Sequence, residues 1–154
     1  EAGLALKPTN WIKDGKLVNL SRGRFWAQKT GKDPLPGASN IIMDGGGMLP
    51  EDFLTTVREG LLITSFWYIR DLDNQTMLRT GLTRDGLFWV EDGKIVHGIR
   101  NFRWNESPLA MLQNVLDMSK SVVTAPRDGW DGQPIYAPML YVSGFNFASL
   151  SDAI

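Results

Sequence analysis

The chain contains no cysteine and a single histidine, His97. The first absence excludes disulfides and every zinc site built on a thiolate, and it fits a reducing cytoplasm, the expected localisation. One histidine cannot build a two-histidine metal motif, nor leave a spare imidazole beside a Ser-His-Asp arrangement. Long apolar runs are missing as well. The longest is broken by Thr64 and Ser65, so no segment supplies the ~20 apolar residues that a membrane helix needs. The net charge of −1 is too small to draw the chain to DNA or to an anionic membrane. The opening Glu1-Ala2-Gly3-Leu4 has neither a methionine nor a basic-then-apolar signal, and Glu1 is read as a cut inside a longer gene product.

What is present is ordinary globular material. Of the 154 residues, 43% are apolar, which suits one compact domain over residues 1–154 that buries roughly two-thirds of its unfolded surface. The strongest local signal is Asp-Gly between β-type runs, at Asp14-Gly15, Asp85-Gly86 and Asp92-Gly93. Such pairs favour type I′ hairpin turns because both central residues need positive φ. Two of them sit in similar octets, WIKDGKLV at 11–18 and WVEDGKIV at 89–96. A duplicated hairpin unit and two independent hairpins both fit this likeness. By the same count Ile12 points inward and Trp11 outward, with Phe88 toward the main core and Trp89 toward partial solvent.

Between the octets, residues 61–70 alternate with apolar side chains on both faces, which predicts a central strand covered on each side. Residues 71–75 supply turn chemistry, and residues 76–84, 87–91 and 94–102 return as further strands of an antiparallel meander. Residues 40–43 and 136–147 read as two more. Three short helices are expected. One runs over 21–30, with Ser21 as N-cap and Gly31 beyond its end. Another starts at Pro50, runs to Glu59 and turns Phe53, Leu54 and Val57 inward. The third opens at Ser107-Pro108 and turns Leu109, Leu112, Val115 and Leu116 toward the core. Residues 34–37 and 124–134 read as loops. The class is α+β, predominantly antiparallel sheet in a meander, barrel-like or sandwich arrangement, with two or three short helices.

Few residues have the look of chemistry. His97 lies on a strand beside an apolar row and reads as an ordinary strand histidine. Asp71, Asp73, Glu91, Asp92 and Glu106 fall mostly at turns, where aspartate is favoured for backbone reasons, so a catalytic carboxylate pair is not expected. The basic and aromatic run 22–32 resembles a single-strand nucleic-acid binder in composition, but a solvated helix with Phe25 and Trp26 tucked inward explains it better. Gly45-Gly46-Gly47 lacks the Lys-Ser/Thr of a phosphate loop and reads as a flexible turn. Trp67, Tyr68 and Arg70 end the long strand, and Tyr68 with Arg70 are the candidate peptide-binding residues.

The segment GLLITSFWYIRDLDNQTMLRTGLTRDGLF at 60–88 is similar to the strand and hairpin of the TldD/PmbA family, also called modulator-of-gyrase or peptidase U62-like proteins. The likeness continues through VEDGKI at 90–95, NFRWNESP at 101–108 and the ending 144–153, and upstream through 11–20 and 22–29. It implies the C-terminal region of a longer protein. Family members of the TldD type are zinc peptidases that act with a TldE/PmbA partner on unfolded or short peptides. Their zinc ligands lie on an upstream helix and are completed by a C-terminal cysteine, expected here in the loop around 125–132. No cysteine stands there. Neither arginine nor tryptophan replaces a thiolate, which leaves Asp128 or Asp131 as the weak alternatives. The resemblance therefore implies a chain closer to the TldE/PmbA type, without catalytic residues, metal or cofactor of its own, and zinc in the parent protein or its partner. A second reading makes the domain a non-catalytic module that pairs with a TldD-like subunit or with itself, and binds extended peptides along an unpaired strand edge.

Overall fold

The computed structural model describes residues 3–124 and 134–152. The chain forms two compact units, Glu1–Ile41 with Gly132–Pro134, and Ile42–Asp131 with Ile135–Ile154. In the first, β1 (Ile12–Lys13) and β2 (Lys16–Leu17) form an antiparallel hairpin around Asp14 and Gly15, whose φ of 51° and 71° give the expected I′ geometry. Helix α1 (Arg24–Thr30) follows, capped by Gly31 in the left-handed conformation. Its N-cap lies two residues later than the sequence suggests, at Gly23 rather than Ser21. Two expectations fail in this unit. Ile12 is exposed while Trp11 is half-buried, since strands of two residues have no second layer to face. Phe25 and Trp26 are exposed as well, packed edge to face at 5.6 Å with the Lys29 ammonium 4.8 Å above the indole; α1 buries only Ala27.

The boundary between the units falls within β3 (Ile41–Ile42), and the second unit continues through α2 (Pro50–Leu54), β4 (Glu59–Asp73), β5 (Leu78–Glu91), β6 (Lys94–Gly98), β7 (Phe102–Glu106), α3 (Pro108–Gln113), β8 (Val115–Met118), β9 (Val122–Thr124), β10 (Ile135–Ala137), β11 (Leu140–Val142) and β12 (Phe147–Leu150). Its main sheet is open and antiparallel, ordered β12-β7-β5-β4, with β6 also paired to β5. Strand β5 is therefore the hub, holding β4 along one edge and both β6 and β7 along the other. A three-stranded sheet ordered β3-β10-β9 and an antiparallel pair, β11 with β8, complete the unit. The class is α+β, as the sequence predicts. Among the described residues no helix is long and apolar enough to cross a membrane.

Several elements depart from the sequence reading for identifiable reasons. Asp92-Gly93 makes the expected I′ turn, with φ of 48° and 74°, but Asp85-Gly86 does not turn the chain. It lies inside β5 as a bulge: Ile63 pairs with Leu87 and Ser65 with Arg84, so two residues of β5 oppose one of β4. The Thr64 hydroxyl donates to the Gly86 carbonyl at 2.8 Å across this bulge. Residues 76–84 and 87–91, expected as two strands, are thus one strand in a long β4–β5 ladder, and β4 is an edge strand rather than a central one. Helix α2 ends at Leu54, with Phe53 and Val57 buried below it. Helix α3 ends at Gln113, so Val115 and Leu116 belong to a strand, and Leu109, Leu112 and Leu116 are exposed. Gly45 and Gly46 do not form a loose turn. A Cβ on either would lie 2.2 or 2.3 Å from the carbonyl oxygens of Ser119 or Met118, so they mark a close backbone crossing.

The core of this unit centres on β5 and an aromatic cluster. Leu82, Leu87 and Val90 are buried, and Phe88 and Trp89 are both half-buried, so the expected contrast between those two rings is absent. Trp104 pairs with Gly81 across β5 and β7, and its ring lies over that glycine. Phe66 meets it edge to face at 5.2 Å, and Phe145 stacks on Phe66 at 5.5 Å.

Candidate edge-strand site

The candidate site follows from how β4 pairs. From Glu59 to Trp67 the strand adds no residue relative to β5, apart from the bulge on β5 itself. Between Trp67 and Arg70 it gains one: Trp67 opposes Leu82 and Arg70 opposes Thr80, so two residues of β4 face Gly81 alone. Tyr68 takes up the extra length with a φ of 56°. A bulky residue in the left-handed region carries on the order of 1–3 kcal/mol of backbone strain, which persists only where the surroundings hold it.

The consequence is a change in side-chain direction. Regular alternation sends neighbouring side chains to opposite faces. At the bulge this rule breaks, and the Trp67 and Tyr68 rings lie 5.3 Å apart. The Arg70 guanidinium sits 4.2 Å from the Tyr68 centroid, and Arg84, from β5, sits 4.7 Å from that of Trp67. The four side chains form a row, cation, phenol, indole, cation. Tyr68 and Arg70 are exposed, and Arg70 donates from Nη1 to the carbonyl of Ile69 at 3.1 Å. The structure thus brings together the two residues predicted from sequence and adds Trp67 and Arg84. Arg84 reaches Trp67 because of paired bulges, which no periodicity announces.

Beside the regular part of β4 runs a cleft of about 650 Å³. Leu61, Ile63 and Phe66 of β4 line it, together with Met139, Tyr141 and Phe145. Among the described residues β5 is the only strand paired with β4, so its outer backbone edge borders this cleft without a ladder partner. The cleft ends at Phe66, and the cationic-aromatic row begins with the next residue.

The carboxylates singled out in the sequence are all occupied structurally or lie at turns. Asp71 pairs with Arg79 at 2.5 Å. Asp73 accepts from the Thr76 hydroxyl at 2.6 Å and the Gln75 amide at 2.9 Å, and these bonds hold its carboxyl below the usual aspartate value. Glu106 accepts from the amides of Ser107 and Asn146. Glu91 ends β5 beside the Asp92-Gly93 turn, and His97 is an exposed partner of Trp89 on β6. Asp128 and Asp131 lie outside the described residues. Among the described residues no three His, Cys, Asp or Glu side chains are grouped to hold a metal. The chain has no thiolate to offer a metal, and its one histidine, His97, is exposed.

The open antiparallel sheet and its short helices define a β-rich domain of α+β class. Residues 1–149 match the family described as PmbA/TldA metallopeptidase C-terminal domain, and the chain belongs to that family. Three solved structures share the fold. One from Bacteroides thetaiotaomicron, described as a modulator of DNA gyrase, has a TM-score of 0.76 at 19% identity, covering 96% of this chain and 32% of its own. One from Thermotoga maritima, with the same description, gives 0.77 at 19% identity over 95% of this chain and 34% of its own. TldE from Thermococcus kodakarensis gives 0.73 at 15% identity over 97% of this chain and 35% of its own. The chain therefore spans about a third of the length of these proteins. No curated protein sequence matches it.

Proposed function

We propose that this chain is the C-terminal, peptide-receiving domain of a protein that works in proteolysis, and that it contributes no zinc ligand of its own. The observation that carries this reading is the unpartnered outer edge of β4 along the apolar cleft. An extended peptide adding there hydrogen-bonds through its backbone, so sequence matters little, and the cleft takes apolar side chains at alternate positions. Tyr68 and Arg70, at the β4 bulge just beyond the cleft, are the residues that meet the peptide. Residues 1–154 act as one C-terminal domain of a cytoplasmic parent, of the TldE/PmbA type, and zinc belongs to that parent or its partner subunit. The purified chain is expected to bind extended peptides without hydrolysing them and without stoichiometric zinc. Stoichiometric zinc together with peptide hydrolysis overturns the reading, and hydrolysis that survives excess chelator points to a carboxylate-only hydrolase.

A second reading, assembly with a TldD-like subunit or a second copy, is favoured by Leu109, Leu112 and Leu116, which α3 and β8 leave exposed. Gel filtration of the full-length protein mixed with a TldD-like partner tests it. A single earlier peak is expected, and two monomer peaks at micromolar concentration count against it.

A further inference from the structure

We infer, resting on the peptide-receiving reading, that the β4 edge anchors an extended peptide in one register through the outward backbone groups of Leu61 and Ile63, and that Tyr141 closes the edge on the peptide's C-terminal side. In an antiparallel ladder each strand turns the N–H and C=O of alternate residues to one neighbour, and those of the residues between to the other. The bonds of β5 settle which residues of β4 face outward. Glu91 pairs with Lys94 across the two-residue Asp92-Gly93 turn, Trp89 pairs with His97, and the Leu87 carbonyl accepts from the Ile99 amide at 2.8 Å. Glu91, Trp89 and Leu87 therefore direct their backbone groups to the β6 side, and their β4 partners Glu59, Leu61 and Ile63 turn theirs to the open edge. One residue before, the Arg58 carbonyl accepts from the Asp92 amide at 2.7 Å, as the same alternation requires.

The three outward residues are not equivalent. The Tyr141 ring lies 3.9 Å from where a Cβ on Gly60 would stand, and its hydroxyl donates to the Glu59 carbonyl at 3.5 Å. Among the described residues no hydrogen bond reaches the backbone of Leu61 or Ile63 from outside the β4–β5 ladder, although both residues are half-buried and line the cleft. Backbone groups partly withdrawn from water in this way favour a partner. Beyond Ile63 the Asp85-Gly86 bulge bends the ladder. Two N–H and two C=O groups are thus left, and an antiparallel strand satisfies them with the first and third of three consecutive residues. The first pairs with Ile63 and the third with Leu61. Residues upstream of them run toward Tyr68 and Arg70, and residues downstream meet Tyr141. The ligand is an extended peptide read through its backbone at two alternate positions.

The test uses the full chain and one labelled apolar heptapeptide amide, in a series carrying a single N-methyl group at each residue in turn. Fluorescence anisotropy gives the affinities. Two positions with one residue between them are expected to lose about tenfold each, and the residue between them about twofold or less, because its N–H points away from β4. Losses that are uniform along the peptide, or absent, overturn the single register and leave the peptide-receiving reading intact. No binding, even of the unmethylated peptide, overturns both. On the protein, Ile63→Pro deletes an outward N–H and is expected to weaken the unmethylated peptide about tenfold, whereas Ile63→Val keeps the donor and stays within about twofold. Leu62→Pro deletes a ladder N–H and lowers Tm further than Ile63→Pro does; the reverse order overturns the assigned alternation. The N-methyl series on the parent chain decides the register even where a proline variant fails to fold. A peptide ending at its second sensitive position is then compared with one extended there by two residues. The extension is neutral in the parent chain and gains about threefold in Tyr141→Phe, where the Glu59 carbonyl is released. An equal effect in both chains removes Tyr141 as the stop.

Discussion

A methyl group added at Gly81 would lie 2.4 Å from Cζ2 of Trp104, 2.7 Å from Cε2 and 3.0 Å from Nε1. Carbon atoms pack at about 3.5–4.0 Å, so Gly81→Ala forces the indole to move by roughly 1 Å. There is little room for that. Trp104 is buried, wedged between Phe66 at 5.2 Å and Phe145 at 5.7 Å, and it pairs directly with Gly81 across the ladder. Overpacking of this kind costs about 1–3 kcal/mol. Alanine returns about 0.4–1 kcal/mol by restricting the unfolded chain. The expected net loss is about 1–2 kcal/mol, a drop in Tm of roughly 2–8 °C for a chain of this size. Urea denaturation should show a lower midpoint at unchanged slope. Trp104→Phe removes the clashing atoms, so in that background alanine at 81 should be neutral or stabilising, a coupling of about 1–3 kcal/mol. A Gly81→Ala variant as stable as the parent, or equally costly in both backgrounds, refutes the packing argument.

The two hairpin glycines should separate backbone strain from crowding. Gly15 has φ of 71° and open space around a Cβ, so Gly15→Ala should cost about 1–2 kcal/mol; Gly93 has φ of 74° and a Cβ 2.4 Å from the Thr55 carbonyl oxygen, so Gly93→Ala should cost clearly more in thermal unfolding. Thr83 is fully buried, donates to Asn101 at 3.0 Å and accepts from the Phe102 amide at 2.9 Å. Thr83→Val leaves that amide unsatisfied and should lower stability by about 1–3 kcal/mol in urea titration. Asp73 titrates below the usual aspartate value in the folded chain because of Thr76 and Gln75, so the stability it adds is present above the unfolded value and lost as pH falls through the folded one. Thr76→Val should move the Asp73 carboxyl resonance titration upward by NMR; an unchanged titration removes Thr76 as the main cause.

The I′ turns at Asp14-Gly15 and Asp92-Gly93 were legible because turn type is decided by two residues and their neighbours. The same dipeptide at 85–86 was not, because β4 continues opposite it and turns a would-be hairpin into a bulge. Side-chain alternation in residues 61–70 reports which faces are apolar, and it carries no information about which backbone edge is paired. That is why an edge strand reads as a central one. The stripe Leu109 to Leu116 has helical spacing, yet pairing of Val115 with Val142 claims its C-terminal end for a sheet, and tertiary pairing overrides the local period. Tyr68 and Arg70 could be named from sequence because they follow the apolar run of the strand, although β4 itself continues to Asp73. Trp67 and Arg84 joined them only through a bulge on each strand, a feature of register that single-chain periodicity does not encode.

The position of β5 as hub also sets an order of assembly. Strands β4 and β5 are joined by the short turn that Asp73 organises, so their ladder closes locally and early. Strand β12 pairs with β7 only after a loop of roughly forty residues has been closed, which carries a larger entropic cost before any contact rewards it. Amide protons of β5 between Arg79 and Leu82, held in ladders on both sides, should therefore exchange only through global unfolding. Those of β12 should exchange through a smaller opening that peels the sheet from its far side, leaving the β4 edge and its cationic end intact.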